Sequence, residues 1–200
     1  RNNLSKEAYE KYMAAATSLY EKDQDEYLRK AIEASYAKFQ GNQMYHGNTE
    51  LSLDKAVDVI RYFAASSQVT NLYKVKLMKL MWYADALAYK KRGTAITGLV
   101  YQALPMGAVP IGHNSIIDLK NVPCEEVDMG ETNAYHFSLN GEQSFPALSE
   151  EEKSILDSVI EKLGRMSKTE IINFMHKEKA YISTAPRDVI QFQYAESLQI

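Results

Sequence analysis

The sequence predicts a mainly helical α+β fold, in which a helical domain surrounds a central apolar helix, carries a small antiparallel sheet and is preceded by an N-terminal helical hairpin. Apolar residues recur at three- and four-residue spacings from 72 to 92, with no Gly or Pro before Gly93. Short β-branched or alternating segments at about 97–103, 123–129 and 134–138 are typical of strands. Two amphipathic stretches precede both of these regions and predict the hairpin.

The N-terminal residues 1–47 read as a helical connector or arm. Ser5 is a candidate N-cap, and the charged run at 21–24 is the expected break between two helices. The arm carries several tyrosines, which leaves two interpretations open. The two helices pack on each other and on the main domain, or the arm joins domains or drives self-association into a homo-oligomer.

The turn-rich segment 41–48 predicts a domain boundary, so residues 48–200 form the main domain. Ser52, Ser149 and Ser167 are candidate N-caps, the last two with a glutamate three residues later. The shaped loop 104–110 contains two prolines and a glycine. A further helix is expected to open at Pro110, because a proline in the first helical turn loses no hydrogen bond.

Composition limits the function. The net charge of −3 argues against a nucleic-acid-binding surface on these residues. The lone Cys124 excludes an internal disulfide framework and fits a reducing cytoplasm. No apolar run approaches the length of about 18 residues that a membrane span requires. The chain begins with Arg1 rather than Met, from which we expect a piece of a longer protein or a processed chain.

Few residues are arranged for catalysis. The four histidines, at positions 46, 113, 136 and 176, lie in different predicted elements without the local pairing typical of metal ligands. Cys124 with a histidine could be drawn as a hydrolase nucleophile, but no activated-nucleophile motif surrounds it. A basic cluster is expected from Lys74, Lys76, Lys79, Lys90, Lys91 and Arg92. Its run at 90–92 complements the helix dipole or meets an acidic patch on a partner. We therefore predict no catalytic, cofactor or metal site. A small hydrolase that uses Cys124 or a histidine remains the least favoured of three hypotheses, the other two of which follow below.

Two motifs carry a resemblance. The run Lys79-Leu80-Met81-Trp82-Tyr83-Ala84-Asp85, followed by Gly93 and by the segment from Ala103 to Pro110, resembles the Panacea domain, also called SocA-like or DUF4065. Met106 and Ala108 replace an aromatic residue and a proline that are usual in the family's loop. The resemblance extends over about residues 51–198.

The resemblance implies an antitoxin of a toxin–antitoxin system, without enzyme activity, that neutralises a cognate toxin by direct protein–protein binding in the cytoplasm. The family also implies an alternative, an adaptor that delivers a bound toxin to a protease. Many relatives carry an upstream DNA-binding domain, so any DNA binding would belong to that domain and we expect no nucleic-acid partner for these residues. We expect no membrane partner either.

The expected contact surface combines the shaped loop with one edge of the central helix. Aromatic side chains often anchor protein interfaces, although a helix that is apolar nearly all round is more commonly a buried core element. The candidate partner-binding residues are Trp82, Tyr83, Tyr89, Met106, Val109, Pro110 and His113.

Overall fold

The computed structural model describes residues 6–130, 132–141 and 143–200, which form eight α-helices and two pairs of strands. This confirms the predicted mainly helical α+β class. The helices are α1 (Lys6–Tyr36), α2 (Gln43–His46), α3 (Leu53–Ala65), α4 (Lys74–Arg92), α5 (His113–Ile117), α6 (Glu150–Leu163), α7 (Lys168–Met175) and α8 (Lys179–Ile182). The strands are β1 (Tyr101–Leu104), β2 (Gly107–Pro110), β3 (Cys124–Asp128) and β4 (Asn133–Phe137), with 3₁₀ segments at Ala37–Phe39 and Phe192–Ser197.

Helix α4 is the predicted central helix. Every residue from Lys76 to Ala88 is buried, because α3, α6, α7, the hairpin of β1 and β2 and the C-terminal 3₁₀ segment surround it. The helix ends where predicted, at Gly93, whose φ of +78° is a left-handed conformation that glycine adopts without strain. The long apolar stretch therefore forms the centre of the core.

The predicted N-terminal hairpin is wrong, because residues 6–36 form one continuous helix of 31 residues. The charged run at 21–24 contains neither Gly nor Pro, so it forms a solvent-exposed part of α1 rather than a break. Ser5, the expected cap, lies outside the described residues. The second half of α1 packs on the main domain, since Ile32 and Tyr36 are buried in the common core. The boundary at residue 47 stays a prediction.

The single predicted sheet is also wrong, because β1 pairs only with β2 and β3 only with β4, both antiparallel. Residues 97–100 lie in a loop before β1. Pro110 does not open a helix, because it pairs with Tyr101 at the end of β2. Helix α5 begins three residues later, at His113, after Gly112.

The serine caps confirm the predicted helix starts. Ser52 accepts a hydrogen bond from the Lys55 amide, and Ser149 and Ser167 each form a reciprocal capping box. The capping glutamate of α6 also joins three elements. The buried Glu152 carboxylate lies 2.7 Å from Lys55 Nζ on α3 and 3.0 Å from Arg92 Nη2 at the end of α4. These cations hold the pKa of Glu152 below its usual value despite its burial.

The C-terminal segment packs against α4 and contains the 3₁₀ segment Phe192–Ser197. Phe192 and Ala195 of that segment are buried. Lys90 Nζ on α4 donates to the Leu198 carbonyl over 2.8 Å. An isolated antiparallel bridge joins Val189 to Gln102, so the tail also runs beside β1.

Candidate functional site

The β1–β2 hairpin contains the shaped loop and presents its turn, Pro105 and Met106, to solvent. Gly107 follows the turn with a φ of +108°. A Cβ atom at this position would lie 2.8 Å from Lys79 Cε and 2.9 Å from Met175 Cγ, so any larger residue would displace side chains of α4 and α7. Lys79 belongs to the helix motif and Gly107 to the loop motif. The two motifs therefore meet, and their contact holds the hairpin.

Lys76 and Lys79 are buried, which corrects the expectation that they belong to a basic surface cluster. The Lys76 ammonium donates to the carbonyls of Thr70 and Gly164, at 2.5 and 2.7 Å. Within the described part of the chain, Lys79 Nζ donates to the Ala108 carbonyl alone, over 3.3 Å. Because burial disfavours the charged form, the pKa of Lys79 falls to about 8.

These two lysines predict opposite effects of the same substitution. Lys79→Met should raise the free energy of unfolding at pH 7 by about 1–3 kcal/mol, because the removal of a poorly compensated buried charge outweighs the loss of the one long hydrogen bond to the Ala108 carbonyl. Lys76→Met should lower it by about 1–3 kcal/mol, because the hydrogen bonds that join the carbonyls of Thr70 and Gly164 to the buried ammonium are lost. Denaturant unfolding of both variants measures the effects. A loss of stability in Lys79→Met equal to that in Lys76→Met would contradict this account.

The Lys79 effect also has a pH signature. The folded pKa of about 8 lies below the ordinary value of 10.5, so between these two values the unfolded chain holds a proton that the folded chain has released. The unfolding free energy contributed by Lys79 therefore rises as the pH increases from about 8 to about 10.5. Burial lowers the pKa values of Lys74 and Lys76 too, so unfolding curves in this pH range should show a steeper rise in the parent protein than in Lys79→Met.

Asp85 is fully buried in α4. Its Oδ1 accepts from the amides of Ile96 and Thr97, both at 2.8 Å. Its Oδ2 accepts from the Thr97 hydroxyl at 2.5 Å and the Tyr101 hydroxyl at 2.7 Å. Burial raises the pKa of Asp85, while these hydrogen bonds act in the opposite direction. The carboxyl group thus fixes the loop that leads into β1.

The outer side of the hairpin is fixed by the C-terminal third of the chain. The Tyr181 hydroxyl, on α8, donates to the Leu104 carbonyl over 3.0 Å. The amides of Arg187 and Ile190 donate to carbonyls of β1, at 2.7 and 2.8 Å. The hairpin therefore packs against α4 and also forms hydrogen bonds with residues 181–190 along β1.

An exposed apolar surface remains at the turn. Met106 is 46% exposed and Ile182 is 68% exposed, on two elements that the Tyr181 hydrogen bond joins. We call Met106, Tyr181 and Ile182 the hairpin surface. No pattern in the sequence indicated Tyr181, because its hydrogen bond to Leu104 depends on the path of the chain between residues 104 and 181.

The structure places the seven predicted contact residues in different environments. Trp82 is fully buried, with its ring centroid 5.2 Å from that of Tyr101 and 5.3 Å from that of Phe192. Tyr83 is also fully buried and donates to Glu178 Oε1 over 3.2 Å. These two side chains belong to the core, as the alternative interpretation of the helix held. They have no surface to offer a partner in this fold.

The other predicted residues divide between the core and the surface. Val109 and Pro110 are buried in β2, and Tyr89 is half-buried beside Phe192. His113 is partly exposed, its Nδ1 donates to the Pro110 carbonyl over 3.2 Å, and burial followed by the Lys74 charge lowers its pKa. Met106 and His113 lie beyond opposite ends of β2, so the structure does not bring them together at one point.

Among the described residues, no group of three or more His, Cys, Asp or Glu side chains is placed to hold a metal ion. Cys124 is a free thiol in β3, half-buried, and burial raises its pKa. None of the helices in the described ranges combines the length and the apolar character needed to cross a membrane.

Comparison with known proteins identifies the domain. No curated protein and no solved structure matches the chain. A family model described as the antitoxin SocA-like, Panacea domain matches residues 77–181, more than half of the chain. The matched segment runs from α4 through the hairpin to α8, and so contains both motifs and the residues that hold them together. The chain belongs to the SocA-like Panacea family of antitoxin domains.

Proposed function

We propose that this chain neutralises a protein toxin by binding it directly, and that the hairpin surface forms part of the contact. Membership of the antitoxin family supports a toxin partner. The observation that carries the proposed location is the exposed Met106 side chain at the tip of a hairpin that is held from two sides.

The support around the hairpin favours binding. Lys79 and Met175 pack beneath Gly107, and Tyr181 bonds to the neighbouring strand, so the turn is fixed before a partner arrives. Preorganisation reduces the entropy lost on association. A methionine side chain is flexible and polarisable and fits apolar pockets of varied shape, which suits a contact with a protein partner.

The proposed mechanism is stoichiometric and requires no chemical step by this chain. Binding would cover the part of the toxin that the toxin needs for its own activity, in the cytoplasm where both proteins are made. The buried residues of the two motifs would act indirectly, by holding the hairpin and α8 in the geometry that the toxin contacts.

Replacing Met106 with Lys should weaken toxin binding by about tenfold to a hundredfold, because a charge would be buried in an apolar contact. The unfolding free energy should change by less than about 0.5 kcal/mol, because the side chain is largely exposed. Met129→Lys is the matched control, since Met129 is 61% exposed and lies beyond β3, away from the hairpin. Titration calorimetry with the co-encoded toxin measures both variants. Equal losses of affinity in the two variants would contradict the proposed location.

Direct neutralisation and delivery to a protease differ in the fate of the toxin. Under direct neutralisation, growth recovers while the half-life of the toxin is unchanged or longer. A pulse–chase measurement in cells that co-express the two proteins decides between them. A half-life that shortens only when this chain is present would replace the proposal with the adaptor alternative.

A further inference from the structure

Helix α1 carries most of the large apolar side chains that are exposed in the described part of the chain. Nine such side chains are exposed among the described residues, and six of them lie on this helix. They are 44–74% exposed: Tyr9, Tyr12, Met13, Leu19, Tyr20 and Tyr27. We call this set, together with the partly exposed Ala16, the α1 stripe. A monomer rarely leaves so many aromatic side chains in water along one element, so the stripe indicates an interaction surface.

The stripe lies on one side of the helix. At about 100° per residue, Tyr9, Met13, Ala16 and Tyr20 fall within about 60° of one another. Ile32, which anchors α1 in the core, lies about 160° away from Ala16 around the helix axis. A partner that covers the stripe would therefore meet the side of α1 that faces away from the domain body.

The order of residues in the stripe is close to symmetric about Ala16. In an antiparallel pair that crosses at Ala16, residue 12 of one copy lies level with residue 20 of the other, and residue 13 with residue 19. Tyr12 then meets the level of Tyr20, and Met13 that of Leu19. Ala16 lies at the centre, where a small side chain allows two helices to approach closely.

The available area is sufficient for a second copy. A buried aromatic side chain contributes about 150–250 Å², so the exposed fractions of the stripe amount to roughly 600 Å² per copy. A pair would bury roughly 1,200 Å² in total, which reaches the lower end of the range for specific, stable interfaces. The position of the stripe keeps the two domain bodies on the outer sides of the pair, so they do not collide.

We propose that α1 is a dimerisation helix and that its stripe pairs antiparallel with the α1 stripe of a second copy of this chain. The dimer displays two domain bodies on opposite sides of a two-helix stem, so each hairpin surface stays open. This inference concerns a different surface from the proposed toxin contact and does not depend on it.

Three consecutive alanines provide the test with a matched control. Ala16→Glu places two carboxylates at the crossing point, while Ala14→Glu puts the same side chain on the opposite side of the helix. Sedimentation equilibrium of the 200-residue chain should show a dimer with a micromolar dissociation constant. Ala16→Glu should raise that constant at least about 100-fold, and Ala14→Glu by no more than about threefold.

Cysteine cross-linking tests the orientation. In a Cys124→Ser background, a mixture of Tyr12→Cys and Tyr20→Cys chains should form a mixed disulfide on mild oxidation, and neither chain should cross-link efficiently alone. A parallel pair would give the reverse result and overturn the proposed geometry. A monomer at all accessible concentrations would overturn the inference. If the parent protein is monomeric and Ala16→Glu loses toxin binding, the inference is also overturned, because the α1 stripe would then belong to the toxin contact.

Discussion

Replacing Asp85 with Ala is expected to lower the free energy of unfolding by about 3–5 kcal/mol. The carboxylate is fully buried and accepts four hydrogen bonds from Ile96, Thr97 and Tyr101. The two hydroxyl donors can rotate towards new acceptors, but the two backbone amides cannot. They would remain buried without partners, beside a cavity that replaces the carboxyl group.

Asp85→Asn is the control that separates hydrogen bonding from charge. The Asn oxygen can still accept from the two amides, and its NH₂ group can donate to the Thr97 and Tyr101 hydroxyls, which also accept. The loss of stability should therefore be about 0–2 kcal/mol, smaller than that of the Ala variant. Urea unfolding of both variants measures the difference. A loss below about 1 kcal/mol for Asp85→Ala would show that the carboxyl group does not hold the loop before β1.

The second large effect is expected at Gly98, where Ala should lower the unfolding free energy by about 3–4 kcal/mol or prevent folding. Gly98 has a φ of +71°, and a Cβ atom there would lie 2.4 Å from the Glu50 carbonyl oxygen and 2.7 Å from that of Thr49. Both contacts are to backbone atoms that cannot move aside as a flexible side chain would. The close approach joins the segment before α3 to the loop fixed by Asp85.

Gly93→Ala isolates the contribution of the clash. Gly93 has a similar φ of +78°, but a Cβ atom there would meet no atom within 4 Å. Its substitution should cost about 1–2 kcal/mol, from the left-handed conformation alone. Thermal unfolding of the two variants under the same conditions gives the comparison. Equal stability of Gly98→Ala and Gly93→Ala would contradict the close backbone contact.

The sequence predicted those elements whose signals are local. The capping boxes at Ser149 and Ser167 require only a serine and a glutamate three residues apart, and both formed as predicted. The end of α4 at Gly93 follows from the same kind of short-range pattern. The error in the strands came from a segment whose structure depends on the rest of the chain.

The strand error illustrates that dependence. Residues 97–100 have β-branched character, but the amides of Ile96 and Thr97 bond to a carboxylate on α4 instead of to a neighbouring strand. The predicted break at residues 21–24 of α1 was wrong for a different reason. The charged residues there interrupt the apolar periodicity, but they do not end the helix, which is exposed to solvent on all sides at this point. The hairpin surface could not be predicted, because Tyr181 reaches Leu104 only through the tertiary fold.

The two motifs were a better guide to the family than to the residues that contact the toxin. Trp82 and Tyr83 fill the core, and Lys79 and Gly107 hold the hairpin against α4. Residues that define a domain in this way are recognisable because the fold needs them. The toxin contact is expected instead on exposed positions such as Met106, which replaces the family's usual aromatic residue in this chain.

The most direct test of the central claim is a calorimetric titration of this chain with the protein encoded beside it, combined with a growth assay of the same pair. The account predicts a one-to-one complex per chain with nanomolar to low micromolar affinity and rescue of growth, with affinity about tenfold to a hundredfold weaker in Met106→Lys and unchanged in Met129→Lys. A toxic neighbour that neither binds this chain nor is neutralised by it would contradict the proposed function.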